Sequence, residues 1–136
     1  MRALHRGFVL LLMLGLSGAA FARSNVPIQN FEHNTIPPKA GTQRTLEDVQ
    51  HAITVAGAKA GHWSVSESSP GRMKLTVMTR SHSAVVEITF DTQSYSIHYV
   101  DSTNLNYKKT DTEELIHPHY NGWVLKLKQN IDQQLL

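Results

Sequence analysis

The spacing of apolar positions along this chain changes repeatedly, and each change marks a predicted element. Residues 7–16 are an almost unbroken run of Leu, Val, Phe and Met. Residues 23–44 hold only isolated apolar side chains, Val26, Ile28, Phe31 and Ile36, with neither helical nor strand period, and Pro27, Pro37 and Pro38 oppose regular structure there. From residue 45 onward the apolar positions recur at steps of three and four: Leu46, Val49, Ile53, Ala56 and Ala60. This spacing predicts a helix with one narrow buried stripe, whose small members, Gly57 included, let a sheet approach closely. Thr45 and Asp48 have the spacing of a capping box, Glu47 and Asp48 suit the positive end of the helix, and Gly61 suits a left-handed stop.

Past Gly61 the period falls from about 3.6 to 2. Trp63 and Val65 alternate with Ser64 and Ser66, Met73, Leu75 and Val77 with Lys74, Thr76 and Met78, and Ala84, Val86, Ile88 and Phe90 with Glu87, Thr89 and Asp91. Tyr95, Ile97 and Tyr99 then alternate with Ser94, Ser96 and His98. Ser68-Ser69-Pro70-Gly71 is a turn sequence, and a polar break at residues 80–83 separates the next pair of runs. Short connections and alternation predict a four-stranded antiparallel meander with one covered face and one wet face. Residues 100–111 are rich in Asp, Ser, Thr, Asn and Lys and read as a long loop, with a short extended piece at residues 105–107. A last helix opens near His117-Pro118, with Pro suited to the first helical position. Its stripe is Tyr120, Trp123, Val124, Leu127, Ile131 and Leu135.

The order α-β-β-β-β-α predicts a single α+β domain over residues 45–136, two helices packed on one face of the sheet. Trp63, Trp123, Tyr95 and Tyr99 are its expected anchors, each ring removing about 150 to 250 Å² from water. Residues 23–44 read as an extended, Pro-containing arm that packs on the domain or engages a partner.

The run at residues 7–16 takes its meaning from its flanks. Arg2 and Arg6 precede it, and Ala20-Phe21-Ala22 puts small residues where a signal peptidase reads them. Residues 1–22 therefore read as a secretory signal peptide cut after Ala22, and the expected location is periplasmic or secreted. The run is shorter than the roughly 20 apolar residues of a membrane-spanning helix, and no membrane span is expected after cleavage. The chain has no Cys, which removes disulfides, a thiol nucleophile and a lipid-accepting cysteine together.

The same segment alters the charge argument. The whole chain has 13 Lys and Arg against 11 Asp and Glu, and loss of Arg2 and Arg6 brings the two counts level. A neutral domain lacks the long-range positive field that recruits nucleic acid. The aromatic residues fall mainly on the predicted core face, and Arg72, Lys74 and Arg80 make only a local stripe, so no nucleic-acid partner is expected. All but one of the eight His lie beyond the cut and form the main reservoir of charge that pH can switch.

No catalytic constellation stands out. Ser102 lies in Asp101-Ser102-Thr103-Asn104 without the glycine elbow that exposes a nucleophile. Glu113 and Glu114 precede the last helix, where acids favour the dipole, and no glycine-rich phosphate loop is present. His117-Pro118-His119 brings two imidazoles together, but a metal site would need a third donor from His98, Asp101, His82 or Glu114. No metal or other cofactor is expected, and no catalytic residue is assigned. A His-based metal-binding or hydrolytic protein using His117, His119 and His98 is the alternative reading.

The junction of the loop with the last helix is richer. Tyr99, Asp101, Ser102, Asn104, Tyr107, His117, Tyr120 and Asn121 combine aromatic surface with donors and acceptors. Such a set forms either a polar network that pins the loop or a ligand pocket, and these residues are the candidate ligand-binding set.

Residues 53–56 followed by Gly61-His62-Trp63, Pro70-Gly71, Arg80-Ser81-His82 and Tyr95-Ser96-Ile97-x-Tyr99 precede two more specific motifs, Ser102-x-Asn104-Leu105-x-Tyr107 and Ile116-His117-x-x-Tyr120-Asn121-x-Trp123. Together, over residues 46–131, they resemble a family of small uncharacterised bacterial envelope proteins, many of them lipoproteins. The resemblance implies an envelope location and a compact α+β domain, and carries no activity with it. The missing Cys departs from the lipoprotein pattern. The resulting expectation is a non-enzymatic envelope domain, periplasmic or secreted, that binds a protein partner or a small ligand through the loop and helix junction.

Overall fold

In a computed structural model that describes residues 24–136, the capping box at Thr45 forms as its spacing predicts. The Asp48 amide donates to Thr45 Oγ1 at 3.2 Å and the Thr45 amide donates to Asp48 Oδ2 at 2.9 Å. Helix α1 (Leu46–Lys59) follows, with Val49, Ile53 and Ala56 fully buried. Gly57 sets how close it lies to the sheet: a Cβ there would meet Leu75 Cδ2 at 3.0 Å and the Trp63 carbonyl oxygen at 3.2 Å. Gly61, at φ +113°, turns the chain out of the helix. The expected signal segment, residues 1–22, lies outside the described residues.

The strands that follow are β3 (Ser64–Ser69), β4 (Arg72–Thr79), β5 (His82–Phe90) and β6 (Ser94–Thr103), each antiparallel to the next. Met73, Leu75, Val77, Ala84, Val86, Ile88, Phe90, Tyr95 and Ile97 point to the covered face, as their alternation predicts. That face receives α1 and the last helix, α2 (Pro118–Gln134), whose Tyr120, Val124, Leu127 and Ile131 are fully buried.

The sheet is larger than the four-stranded meander expected from periodicity. Strand β2 (Phe31–Thr35) joins its edge beside β6, giving five strands in the order β2-β6-β5-β4-β3. A second, three-stranded sheet in the order β1-β8-β7 is built from β1 (Val26–Pro27), β8 (Glu114–Ile116) and β7 (Lys108–Lys109). The α+β class and the paired helices stand, and the strand count and single-sheet topology are corrected.

The physical reason is that side chains, more than an alternating ladder, attach β2, and that β1, β7 and β8 have only two or three residues each, too few for a period to show. Asn30 Oδ1 accepts from the Tyr99 amide at 3.0 Å, Ser96 Oγ accepts from the His33 amide at 2.9 Å, and Asn34 Nδ2 donates to the Tyr95 carbonyl at 2.9 Å. The pairing register slips between Phe31 and Asn34, so no period-2 signal survives in the sequence. Glu32 meets His98 on the wet face, and Phe31, Ile28 and the buried Ile36 pack against the core. Pro27, paired opposite Leu115, is tolerated in a strand of two residues.

Strand β6 also outruns its expected end at Tyr99. Val85 pairs with Asp101 and Val86 with Tyr99, which leaves Val100 as the extra residue of a bulge. The bulge breaks the alternation, so residues 100–103, expected in a loop, continue the strand.

Candidate functional site

The bulge decides where the candidate residues point. Tyr99 and Ser102 both face the helices, and their hydroxyls share a hydrogen bond of 2.8 Å, while Asp101 is exposed and accepts from the Ser102 amide at 2.8 Å. The Tyr107 ring stacks on Tyr99 with centroids 4.8 Å apart, and Tyr120 meets Tyr99 edge-on at 5.4 Å. Such offset and edge-to-face pairs are favoured by the ring quadrupoles. Tyr107 is exposed and Tyr120 is fully buried, its hydroxyl without a hydrogen-bond partner among the described residues. Burial raises the pKa of Tyr99 and of Tyr120, because a phenolate there would lose its hydration. Tyr107 is raised as well, by desolvation first and then by the nearby Glu114.

The remaining members are spread over the ends of the domain. Asn121 reaches the arm: its Oδ1 accepts from the Gln29 amide at 3.0 Å and its Nδ2 donates to the Pro27 carbonyl at 2.9 Å. His117 is the N-cap of α2, its Nδ1 accepting from the His119 amide at 3.1 Å. Its backbone amide donates to the Leu105 carbonyl at 2.8 Å, which holds the loop to the start of the helix. Asn104 adopts φ +58° and donates from Nδ2 to the Ser81 carbonyl at 2.6 Å, and its own carbonyl accepts from His82 Nδ1 at 3.0 Å. Tyr99, Tyr107 and Tyr120 thus form one aromatic group with Ser102 hydrogen-bonded to it, while Asn104, His117 and Asn121 each tie a different segment.

The turn that Asn104 holds is legible in the sequence as a polar break at residues 80–83, but not as part of a site. Thr79 pairs with His82, so Arg80 and Ser81 form a two-residue hairpin connection, and Arg80 sits at φ +56°. Turns that match strand twist place positive φ at such positions and favour Gly or Asn there, because a Cβ crowds the backbone. Beside this turn, Thr79, Arg80, His82, His119 and Trp123 line a shallow cleft of about 370 Å³. The His119 ring lies 4.4 Å from that of His117 and nearly parallel to Trp123 at 6.3 Å. Arg80 is exposed and has no ion pair among the described residues. An Arg where a two-residue hairpin prefers Gly was the signal available in the sequence.

The tautomers at this cleft follow from the partners. A carbonyl only accepts, so His82 Nδ1 carries the proton and Nε2 is the free position of the neutral ring. His117 Nδ1 accepts from an amide, so its proton lies on Nε2 in the neutral form. His98, the expected companion of His117 and His119 in a metal site, is on the wet face of the sheet bonded to Glu32. Among the described residues no group of three His, Asp or Glu is placed to hold a metal ion. Among them, too, no helix is long and apolar enough to cross a membrane.

No protein-family model, no curated protein and no solved structure matches this chain.

Proposed function

We propose that this chain is a non-enzymatic binding domain of the bacterial envelope, periplasmic or secreted, that takes a small ligand at the cleft between the β4–β5 turn and the first turns of α2. The observation that carries this reading is the company kept there: an unpaired guanidinium, two imidazoles and a half-buried indole on one concave surface. Small-molecule sites combine an apolar wall with a few convergent polar groups in this way. Three of the motifs, Arg80-Ser81-His82, the Asn104 segment and the His117 to Trp123 segment, converge on it through the Asn104 carbonyl and the His117 ring. Support for the location is the leader-like composition of residues 1–22 and the resemblance to envelope proteins. Binding without catalysis is supported by the polar members of the candidate set, whose hydrogen bonds go mostly to backbone groups that hold loop, arm and helix together.

The test is a nuclear magnetic resonance screen of the isotope-labelled protein against the small-molecule fraction of envelope extract. Shifts centred on residues 79–82, 119 and 123 are expected. Binding that leaves those residues unmoved, or no binding, would refute the assignment of the cleft. Secretion from a bacterial host with a mature N-terminus at Arg23 is expected for the location, and retention of residues 1–22 in the cytoplasm would sink it.

A further inference from the structure

We infer that the ligand of this cleft is an anionic sugar, a ring that carries a carboxylate or a phosphate. This rests on the binding reading above and adds a chemical class to it. The first argument is Arg80. A long, charged side chain is held at φ +56°, where a glycine would relieve the backbone, and no carboxylate of the described residues pairs with it. Backbone held in so sparsely populated a region recurs at ligand clamps and switch sites. The planar guanidinium offers paired N–H donors in a fork that matches two oxygens of a carboxylate or phosphate.

The second argument is the rest of the wall. Trp123 supplies a flat apolar surface, and His82 is locked with Nδ1 on the Asn104 carbonyl, which leaves Nε2 to accept from a hydroxyl. Thr79 contributes a hydroxyl that both donates and accepts. A simple inorganic anion would use Arg80 and leave the indole idle, and an apolar ring would use Trp123 and leave Arg80 idle. A neutral sugar would use the indole and the hydroxyl partners without the guanidinium. A sugar acid or sugar phosphate engages all of them at once. Asn104 is then a positioning residue, since its side chain and carbonyl hold the turn that presents Arg80 and His82.

The experiment follows the two indole N–H signals of labelled protein, with the buried Trp63 as the internal control for Trp123. The probes are glucuronate, glucose 6-phosphate, glucose, acetate and inorganic phosphate. Glucuronate or glucose 6-phosphate is expected to shift Trp123 and leave Trp63 in place, with dissociation constants of roughly millimolar or tighter for so open a cleft. Whichever binds more tightly identifies the anion. Arg80→Gly is expected to weaken binding roughly tenfold, the loss of a charge-assisted bond, while its melting temperature stays equal to or above that of the parent. Equal shifts with glucose, or equal shifts with acetate or inorganic phosphate, would overturn the sugar-anion assignment and leave the cleft as a binding site. Undiminished binding by Arg80→Gly would overturn it too. Silence of Trp123 with all five probes, where the extract screen does move residues 79–82, would reject the ligand class alone. Silence in both would reject the binding reading itself.

Discussion

The side chain of Asn121 stands in for a strand beside Pro27: its amide donates to the Pro27 carbonyl at 2.9 Å while the same side chain accepts from the Gln29 amide at 3.0 Å. One residue on the first turns of α2 therefore closes the backbone of the arm on both sides of Ile28, which itself packs on the core. Together with Val26 opposite Ile116 in the small sheet, this contact makes the stretch before α1 part of the fold.

Replacing Asn121 with Ala should leave one backbone donor and one acceptor of the arm without their protein partner. The expected loss is about 1 to 2 kcal/mol in unfolding free energy, with faster amide exchange confined at first to residues 26–35. Denaturant titration gives the first number and exchange mass spectrometry the second. Unchanged exchange in the arm would show that Asn121 does not hold it.

Asn104 separates a backbone effect from a side-chain effect. At φ +58° Asn is tolerated better than Ala and Gly best of all. Asn104→Ala loses the bond to the Ser81 carbonyl and gains strain, so it should cost about 1 to 2 kcal/mol. Asn104→Gly loses the same bond without the strain and should cost measurably less. Equal destabilisation in the two variants would mean that the conformation of residue 104 carries no strain.

Tyr120 makes the opposite prediction to most buried polar residues. Its hydroxyl is enclosed without a partner among the described residues, so removing it should release a desolvation penalty. Tyr120→Phe is expected to melt at or slightly above the parent temperature, and Tyr120→Ala, which empties a large core site, to lose about 3 to 5 kcal/mol. A clear drop for Tyr120→Phe would reveal a bond that the hydroxyl makes.

The pH dependence has one sign at each end. All four tyrosines are displaced upward, Tyr95 by burial and then by its bond to the Asp132 carboxylate, Tyr120 and Tyr99 by burial first, Tyr107 by desolvation first. A raised folded value means that the native state holds its phenol protons more tightly than the unfolded chain. Stability is then whole below the ordinary tyrosine value of about 10 and is lost as pH rises above it. Asp48 is lowered, first by its hydrogen bond with the Thr45 amide, so its contribution is present above the ordinary carboxylate range and is lost as pH falls through its own folded value. Phenolate absorbance should rise together with loss of circular dichroism in the alkaline limb. Phenolate that forms near pH 10 with native dichroism intact would contradict the upward displacement.

Much of the central sheet and both helices were legible because one periodic face of each is buried. The alternation from Met73 to Val77 and from Ala84 to Phe90, and the stripe from Tyr120 to Leu135, follow from side-chain geometry that repeats along an element. The Thr45 box and the Pro118 start were legible because helix ends need specific donors and acceptors over three or four residues. Strand β2 was not, since its attachment uses Asn30, Asn34 and Ser96 across more than 60 residues of chain and its register slips. Nor was the end of β6, because the bulge at Val100 erases the alternation that would have announced it.

The candidate site divides in the same way. Sequence proximity in the loop and helix motifs picked out Asn104, His117 and Asn121, which the fold uses to hold segments together, and the stacked pair Tyr99 and Tyr107. It offered His82 as one of four candidate companions of His117 and His119, but could not bring Arg80, on a hairpin turn, to Trp123, some 40 residues away on α2. The sequence by itself determined the α+β class, the buried faces, the absence of cysteine and the basic, apolar composition of residues 1–22, because each depends on residue type or on local period. Only the tertiary structure decided that the arm enters the sheets and that the turn at Arg80 meets the helix at Trp123, because both depend on contacts between residues far apart in the chain.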